Sequence, residues 1–514
     1  MIRAVAARAA LWASLATGGA CELDSSAVPL TDGADARQDE VAVELETTTI
    51  TDAAELKGVE RVRGHLVIAG AGLVRLSDLV VIDGDLRVLG SEANPRAADV
   101  QLPKLARVGG TVEIGAVDGR FSAPSLATVG GHLWVHDGAL TLELSELAAV
   151  GGDVRMQAAA TGPLVMPSLT HLGGSLRWSA SADSALTLAA LESVDGDVSL
   201  HGDIAFDAPR LLAIGGDLVA EDGAARLTLE ALRQVGGDLR LENVALATLD
   251  IADLRAVGDD LVIEASGPLE TFAPDALATV GGDLRLARVR DLRVVSMSAL
   301  TTVGGALVVE GAPDLEEVTA TVLGAVGGDV VVRDGAVLKL VLSGLEAIGG
   351  DLVASGNASF QGILPLLASI GGDLDLGEGG FEYTGLGALT AIGGDVRLSH
   401  LTGTPEYDEL RLESLRTIGG GLVLEDTRAL EKLALVALLS IGAGSATGGD
   451  LVVRDNTALS GLLLPELGAV SGAIIVTDNP ALPTDATLAE LADVVSGATT
   501  TVCDNLGGEP CAAP

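Results

Sequence analysis

Aromatic side chains are nearly missing from this sequence: they make up 2 per cent of 514 residues, although 48 per cent are hydrophobic. A core without aromatics must be filled by Leu, Val, Ile and Ala, which suits thin, regular layers. Positive charge is also scarce, with 31 Lys and Arg against 72 Asp and Glu and a net charge of −41. No basic stripe is available to offset phosphate repulsion, so nucleic acid is excluded as a partner. Beyond the N-terminus there is no apolar run near the roughly 20 residues that span a bilayer. Cysteine occurs three times, as Cys21, Cys503 and Cys511. What is abundant is glycine, at 67 residues, and its placement carries the fold.

The first 20 residues, "MIRAVAARAALWASLATGGA", begin with Arg3 and Arg8 and continue short, apolar and rich in small residues. That pattern predicts an export signal over residues 1–20. The small residues before Cys21 resemble a bacterial lipoprotein cleavage box, which implies a lipidated Cys21 and a cell-envelope location, outer membrane or cell surface. Gly18 stands where that box usually has a large aliphatic residue, so ordinary signal cleavage stays open. Residues 21–44 read as an acidic, self-repelling tether. In an exported chain, Cys503 and Cys511 in "CDNLGGEPC" are expected to pair as a disulfide.

The segment "LTLEALRQVGGDLRLEN" (227–243) recurs along the chain. Aligned on its second glycine, the anchor recurs 19 times from Gly64 to Gly472, mostly at steps of 20–23 residues, with Asp259 replacing glycine once. Two residues after the anchor every unit has Leu, Val or Ile, and four after, every unit is apolar. Two before, 18 of 19 are aliphatic; five before, 17 are Leu. Period-2 alternation marks a strand with one buried face. No unit has room for a regular helix beside its strands. The fold class is therefore all-β: a parallel β-helix, or leucine-rich-repeat-like solenoid, of about 19 coils over residues 45–481. At about 4.8 Å per coil it would extend roughly 90 Å. The paired glycines are expected at corners, for positive φ or for close backbone approach. Residues 482–514 are expected to cap it, with a short helix started by Thr484 or Asp485 and ended by Gly497.

Units such as "LESLRTIGGGLVLEDTRAL" (412–430) and "ITDAAELKGVERVRGHLVI" (50–68) resemble the receptor L domain, a family that includes bacterial surface lipoproteins. The resemblance covers about residues 45–505. It implies a right-handed β-helix related to leucine-rich repeats that binds a partner and is not an enzyme. The disulfide-rich modules that accompany receptor L domains are missing, so a hormone-receptor role does not carry over.

Several residues are candidates for chemistry. The GGD motif lacks the Lys of a phosphate loop, and a motif used 19 times is architecture. Asp follows the anchor in 12 units. Stacked carboxylates could share Ca²⁺, or be neutralised by Arg two residues on, as in Asp85/Arg87, Asp153/Arg155, Asp238/Arg240, Asp283/Arg285 and Asp395/Arg397, while bonding local backbone N–H groups. Charge pairing is the favoured reading, and no cofactor is expected. The best Ca²⁺ candidates are Asp351, Asp373, Asp375 and Glu378, for which the sequence suggests no nearby Arg. "HLWVH" puts His132, Trp134 and His136 on one outward face. The two histidines would lie about 13 Å apart, too far to chelate one metal. Trp134 is a contact candidate; Trp178 falls at an inward position. Val308, Val331 and Val353, and later Val423, Val452 and Ile475, would stack into apolar strips on the outer face.

The composition and pattern point to an exported, lipid-anchored binding or adhesion scaffold whose partner is an extracellular protein or glycan. Two alternatives remain: a carbohydrate-active β-helix enzyme, which would need an acid pair in a groove with aromatic platforms, and a passive envelope rod.

Overall fold

The computed structural model describes residues 43–511, apart from 51–55, 70–71, 90–97, 116–118, 137–139, 158–163, 180–183, 224–225, 336–337, 404–407 and 445–447. Residues 1–42 and 512–514, with Cys21 and the expected signal and most of the tether, lie outside them.

Each coil is built from two or three short strands. In the coil that contains the 227–243 segment they are Arg226–Thr228, Gln234–Val235 and Leu239–Val244. Equivalent strands of successive coils pair in parallel, as in Leu218↔Leu239↔Leu261. The result is two continuous 21-stranded sheets, one of short strands ahead of the anchor and one of longer strands after it. Among the described residues, the third side forms sheets of 4, 4, 7 and 3 strands. The long-strand sheet runs in chain order from Thr48–Ile50 to Thr500–Cys503. This is a leucine-rich-repeat-like parallel β-solenoid.

The aliphatic positions form the core. Leu229, Leu232, Val235, Leu239 and Leu241 are all at most 1% exposed, and their counterparts in other coils join them in one continuous cluster. Period-2 alternation makes this possible, because each strand sends every second side chain inward.

Both sheets hold 21 strands, two more than the 19 anchors. The outermost coils carry Glu46 and Ala498 where the others have the anchor, so the repeat motif misses them. The glycines are needed for close approach and not for positive φ. A Cβ at Gly236 would lie 2.1 Å from the Gly215 carbonyl oxygen, and one at Gly237 would lie 2.0 Å from Asp217 Oδ1. The left-handed corner sits six residues after the anchor. It recurs in 14 consecutive coils, from Gly202 to Asp504, and 11 of these residues are not glycine. Asp and Asn are frequent there because they tolerate this conformation better than other L-residues.

In the last coils the residue after that corner is a buried amide. Asn456, Asn479 and Asn505 stack inside the solenoid, with Asn456 Nδ2 donating to Asn479 Oδ1 at 2.9 Å and Asn479 Nδ2 to Asn505 Oδ1 at 2.9 Å. Near the end, a helix at Thr484–Glu490 follows Pro483, and strands Val495–Ser496 and Thr500–Cys503 then extend both sheets. The helix N-cap is Pro483 with no side-chain capping bond, and the helix ends at Leu491, not Gly497. Proline has no side-chain acceptor for a capping bond, and Thr484 is already the first helical residue, its hydroxyl making no hydrogen bond.

Candidate functional site

The outer face of the long-strand sheet carries the candidate residues, and its first row is architectural. All 12 Asp residues that follow an anchor accept, through Oδ1, the backbone N–H at the same position of the next coil. His65, His132 and Ser175 play the same part where Asp is absent. These carboxylates bond the next coil, not their own turn. For Asp153 the Ser175 N–H, then Arg155, holds the carboxyl below its usual range despite partial burial.

The next outward position, three after the anchor, forms one continuous row. Its register runs Glu113↔Trp134↔Arg155↔Arg177↔Ser199↔Val219↔Arg240. Further along it runs Arg285↔Val308↔Val331↔Val353↔Asp375↔Arg397↔Val423↔Val452↔Ile475. The two valine strips thus stack as expected, separated by Asp375 and Arg397, and each of their six residues is partly exposed.

Four of the five expected Asp–Arg pairs form: Arg87–Asp85 at 3.6 Å, Arg155–Asp153 at 2.8 Å, Arg240–Asp238 at 2.9 Å and Arg397–Asp395 at 2.6 Å. Arg285 instead reaches Glu310 in the next coil, which also binds Arg333. Burial raises the Glu310 carboxyl, but the two guanidiniums outweigh it and the net shift is downward.

The Ca²⁺ candidates do not form a cage. Arg397 lies 2.5 Å from Asp373, contrary to the expectation of no nearby Arg. The sequence separation of 24 residues hid a contact one coil away. Glu378 is a left-handed corner residue, at φ 54°. Asp375 is half-buried, and that burial pushes its carboxyl up, against the pull of Arg397 and a bond from the Gly377 N–H. Among the described residues, Cys503, Asp504 and Cys511 are the one trio of metal-type side chains with ligand atoms within 4.8 Å. Cys503 and Cys511 are brought together with Cα atoms 5.1 Å apart, a separation a disulfide spans.

Trp134 is 38% exposed and packs on His136, with ring centroids 4.9 Å apart. His136 in turn approaches Glu113 at 3.4 Å. Beside Trp134 the outer face opens into a recess of about 210 Å³ that spans the coils from Arg155 to Val219. Trp178, inward-facing as the sequence indicated, lies under it and is 3% exposed. Its indole N–H has no hydrogen-bond partner, and neither does the buried Nε of Arg155. The recess was not anticipated. Its sequence signal is the adjacent arginines, Arg155 and Arg177, at equivalent positions of neighbouring units.

No protein-family profile matches the chain, and no curated protein does. Among solved structures it is similar to YopM from Yersinia enterocolitica WA-314, at 17% identity over 80% of this chain and 86% of that one, with a TM-score of 0.24. It is also similar to TLR13 in a TLR13–ssRNA13 complex, at 12% identity over 88% of this chain and 87% of that one, with a TM-score of 0.17. Both are leucine-rich-repeat proteins. Superposition this loose carries no argument about function.

Proposed function

We propose that this chain is an exported, lipid-anchored surface protein of receptor-L-domain type that binds an extracellular partner on the outer face of its long-strand sheet. The observation that supports this reading is the outward row itself. Architecture needs the Asp ladder and the buried aliphatics, yet neither explains a half-exposed tryptophan beside a recess in a chain with so few aromatics. Contact surfaces favour Trp and Arg. The N-terminal pattern and the approach of Cys503 to Cys511 support export into an oxidising compartment.

The role is non-catalytic and needs no cofactor. Asp373 and Asp375, the acids on which a glycan-cleaving reading would rest, both face Arg397. Activity on a glycan panel that disappears in Asp375→Asn would replace this reading with an enzymatic one.

The decisive experiment is a screen of the purified full chain against surface glycans and surface proteins. Saturable binding is expected, and its absence would leave a passive rod. Mass spectrometry of the same material should show a lipidated Cys21 and a mass two hydrogens short at Cys503–Cys511. An unmodified Cys21 or free thiols would reject those parts.

A further inference from the structure

The recess holds an arrangement found nowhere else on the described strands. Arg155 and Arg177 are in-register neighbours, the one Arg–Arg pairing in the strand registers. Like charges directly opposite on adjacent strands repel. Elsewhere on this face arginines are better matched: Arg240 is within reach of Asp238, Glu242 and Asp260, and Arg397 of Asp373 and Asp395. Arg155 has one carboxylate partner, Asp153, and leaves its buried Nε without an acceptor. Arg177 comes no nearer than 3.8 Å to Asp197 and makes no side-chain hydrogen bond. Two arginines on adjacent strands, whose backbones lie about 4.8 Å apart, with donors to spare on Arg177, form a seat for one oxyanion, the group that arginine's planar fork matches best.

The rest of the lining changes character with distance from the arginines. Ser199 and His201 follow, and Glu221 closes the far end. A second anionic group there would meet the Glu221 carboxylate, whereas hydroxyl groups would find both donors and acceptors. The volume, about 210 Å³, is below the roughly 300–1,000 Å³ of clefts that hold drug-sized ligands, and suits a single ring. One carboxylate at one end and several hydroxyls at the other describe a sugar acid. The exposed Trp134 lies in register with Arg155 on the neighbouring strand, where its indole can cover the apolar face of an adjoining ring.

We propose that the recess binds a uronic-acid residue of an acidic polysaccharide, with its carboxylate between Arg155 and Arg177, its hydroxyls toward Ser199, His201 and Glu221, and the next ring on Trp134. This rests on the binding-scaffold reading above and names the ligand class of that surface.

The test is calorimetric titration of the full chain with trigalacturonate, trigalactose and inorganic phosphate. Trigalacturonate is expected to bind saturably, and the other two at least tenfold more weakly. Arg177→Ser should weaken trigalacturonate binding at least tenfold without lowering the thermal midpoint, because it removes a repulsive pair. Trp134→Ala should weaken the trimer but not monomeric galacturonate. Equal affinity for trigalactose would overturn the carboxylate seat, and equal affinity for phosphate would overturn the sugar. Unchanged binding in Arg177→Ser, or loss in Val331→Ser alone, would place the ligand elsewhere on the face. That outcome sinks this inference and leaves the scaffold reading standing. Failure of every ligand in the broad screen would sink both.

Discussion

Replacing Gly237 by alanine tests why the anchor is glycine. Its φ is not in the left-handed region, so backbone strain predicts no penalty, whereas packing predicts a clear one. The new Cβ would lie 2.0 Å from Asp217 Oδ1, and real Cβ atoms essentially never come within 3.0 Å of such a neighbour. The carboxylate must therefore move by about 1 Å, away from the Asp238 N–H that it accepts at 2.8 Å. A hydrogen bond to a charged group contributes about 1.5–3 kcal/mol. Against that, alanine lowers the entropy of the unfolded chain, a gain of about 0.4–1 kcal/mol. The net expectation is a loss of roughly 0.5–2.5 kcal/mol. The chain contains its own precedents. The two anchors with a Cβ that follow another coil, Asp259 and Ala498, bond that coil at 3.2 Å, where the glycine anchors in this bond run 2.8–3.1 Å.

The blocking atom belongs to a removable side chain, so the double mutant is informative. Asp217→Ala alone loses the same hydrogen bond. Adding Gly237→Ala to it should then do less harm than it does alone, because no carboxylate remains to displace and the Gly216 carbonyl carbon, at 3.2 Å from the new Cβ, is the contact left. The measurement is urea denaturation of the four proteins, fitted with a nearest-neighbour repeat scheme. Gly387→Ala serves as control: nothing lies within 4 Å of its Cβ position and its φ is ordinary, so it should stabilise by about 0.4–1 kcal/mol. Additivity of the Asp217 and Gly237 changes to within about 0.3–0.5 kcal/mol would refute the close-approach explanation.

Three further outcomes are expected. Asn479→Ala strips the amide that bonds Val453 O, Thr477 O and Asn505, and should destabilise the C-terminal coils by roughly 2–4 kcal/mol, from buried groups left unmatched at about 1–3 kcal/mol each; faster hydrogen exchange confined to the strands around Leu451–Arg454 and Thr500–Cys503 would show it. Asp375→Asn should raise the thermal midpoint at pH 7, because burial lifts the folded carboxyl above its unfolded value and wild-type stability falls as pH rises between the two; the gain should vanish in strong acid, and a gain independent of pH would contradict the cause. Asp153→Asn should do the reverse: the Ser175 N–H lowers the folded value, so the stabilisation exists above the unfolded value, fades as pH falls through the folded one, and leaves no difference from wild type in strong acid.

Much of the solenoid was legible because its physics repeats. A residue such as Leu232 or Leu241 is buried for the same reason in every coil, and period 2 places Arg240 outward beside Val219 without knowledge of any contact. What escaped depends on the neighbouring coil. The sequence could not show that Arg285 prefers Glu310 over Asp283, or that Arg397 reaches Asp373, since each choice is made some 25 residues away. The misplaced positive φ has a similar origin. Glycine signals either conformational freedom or lack of space, and here it signals lack of space, while Asp and Asn take the left-handed corner. The amide stack was readable in part, as Asp-Asn pairs at 455–456, 478–479 and 504–505, but burial of those asparagines follows only once the corner turns them inward.

The candidate site sits where the repeat stops explaining its own residues. In a solenoid each coil must bury its aliphatics, fill the N–H bonds at its corners and match its outward cations with carboxylates. A coil that meets these conditions needs nothing more, and most coils here meet them with the same few residue types. Arg155 and Arg177, which face each other in adjacent coils, meet the third condition only in part. Trp178 places an unpaired indole N–H in a core that elsewhere is filled mainly by smaller aliphatic side chains. Trp134 leaves a large ring half in water one strand away. Each departure is unfavourable for folding by itself, and their convergence on one recess is what a ligand site requires: cations with incomplete carboxylate partners and an aromatic surface without full cover, both satisfied when the partner arrives.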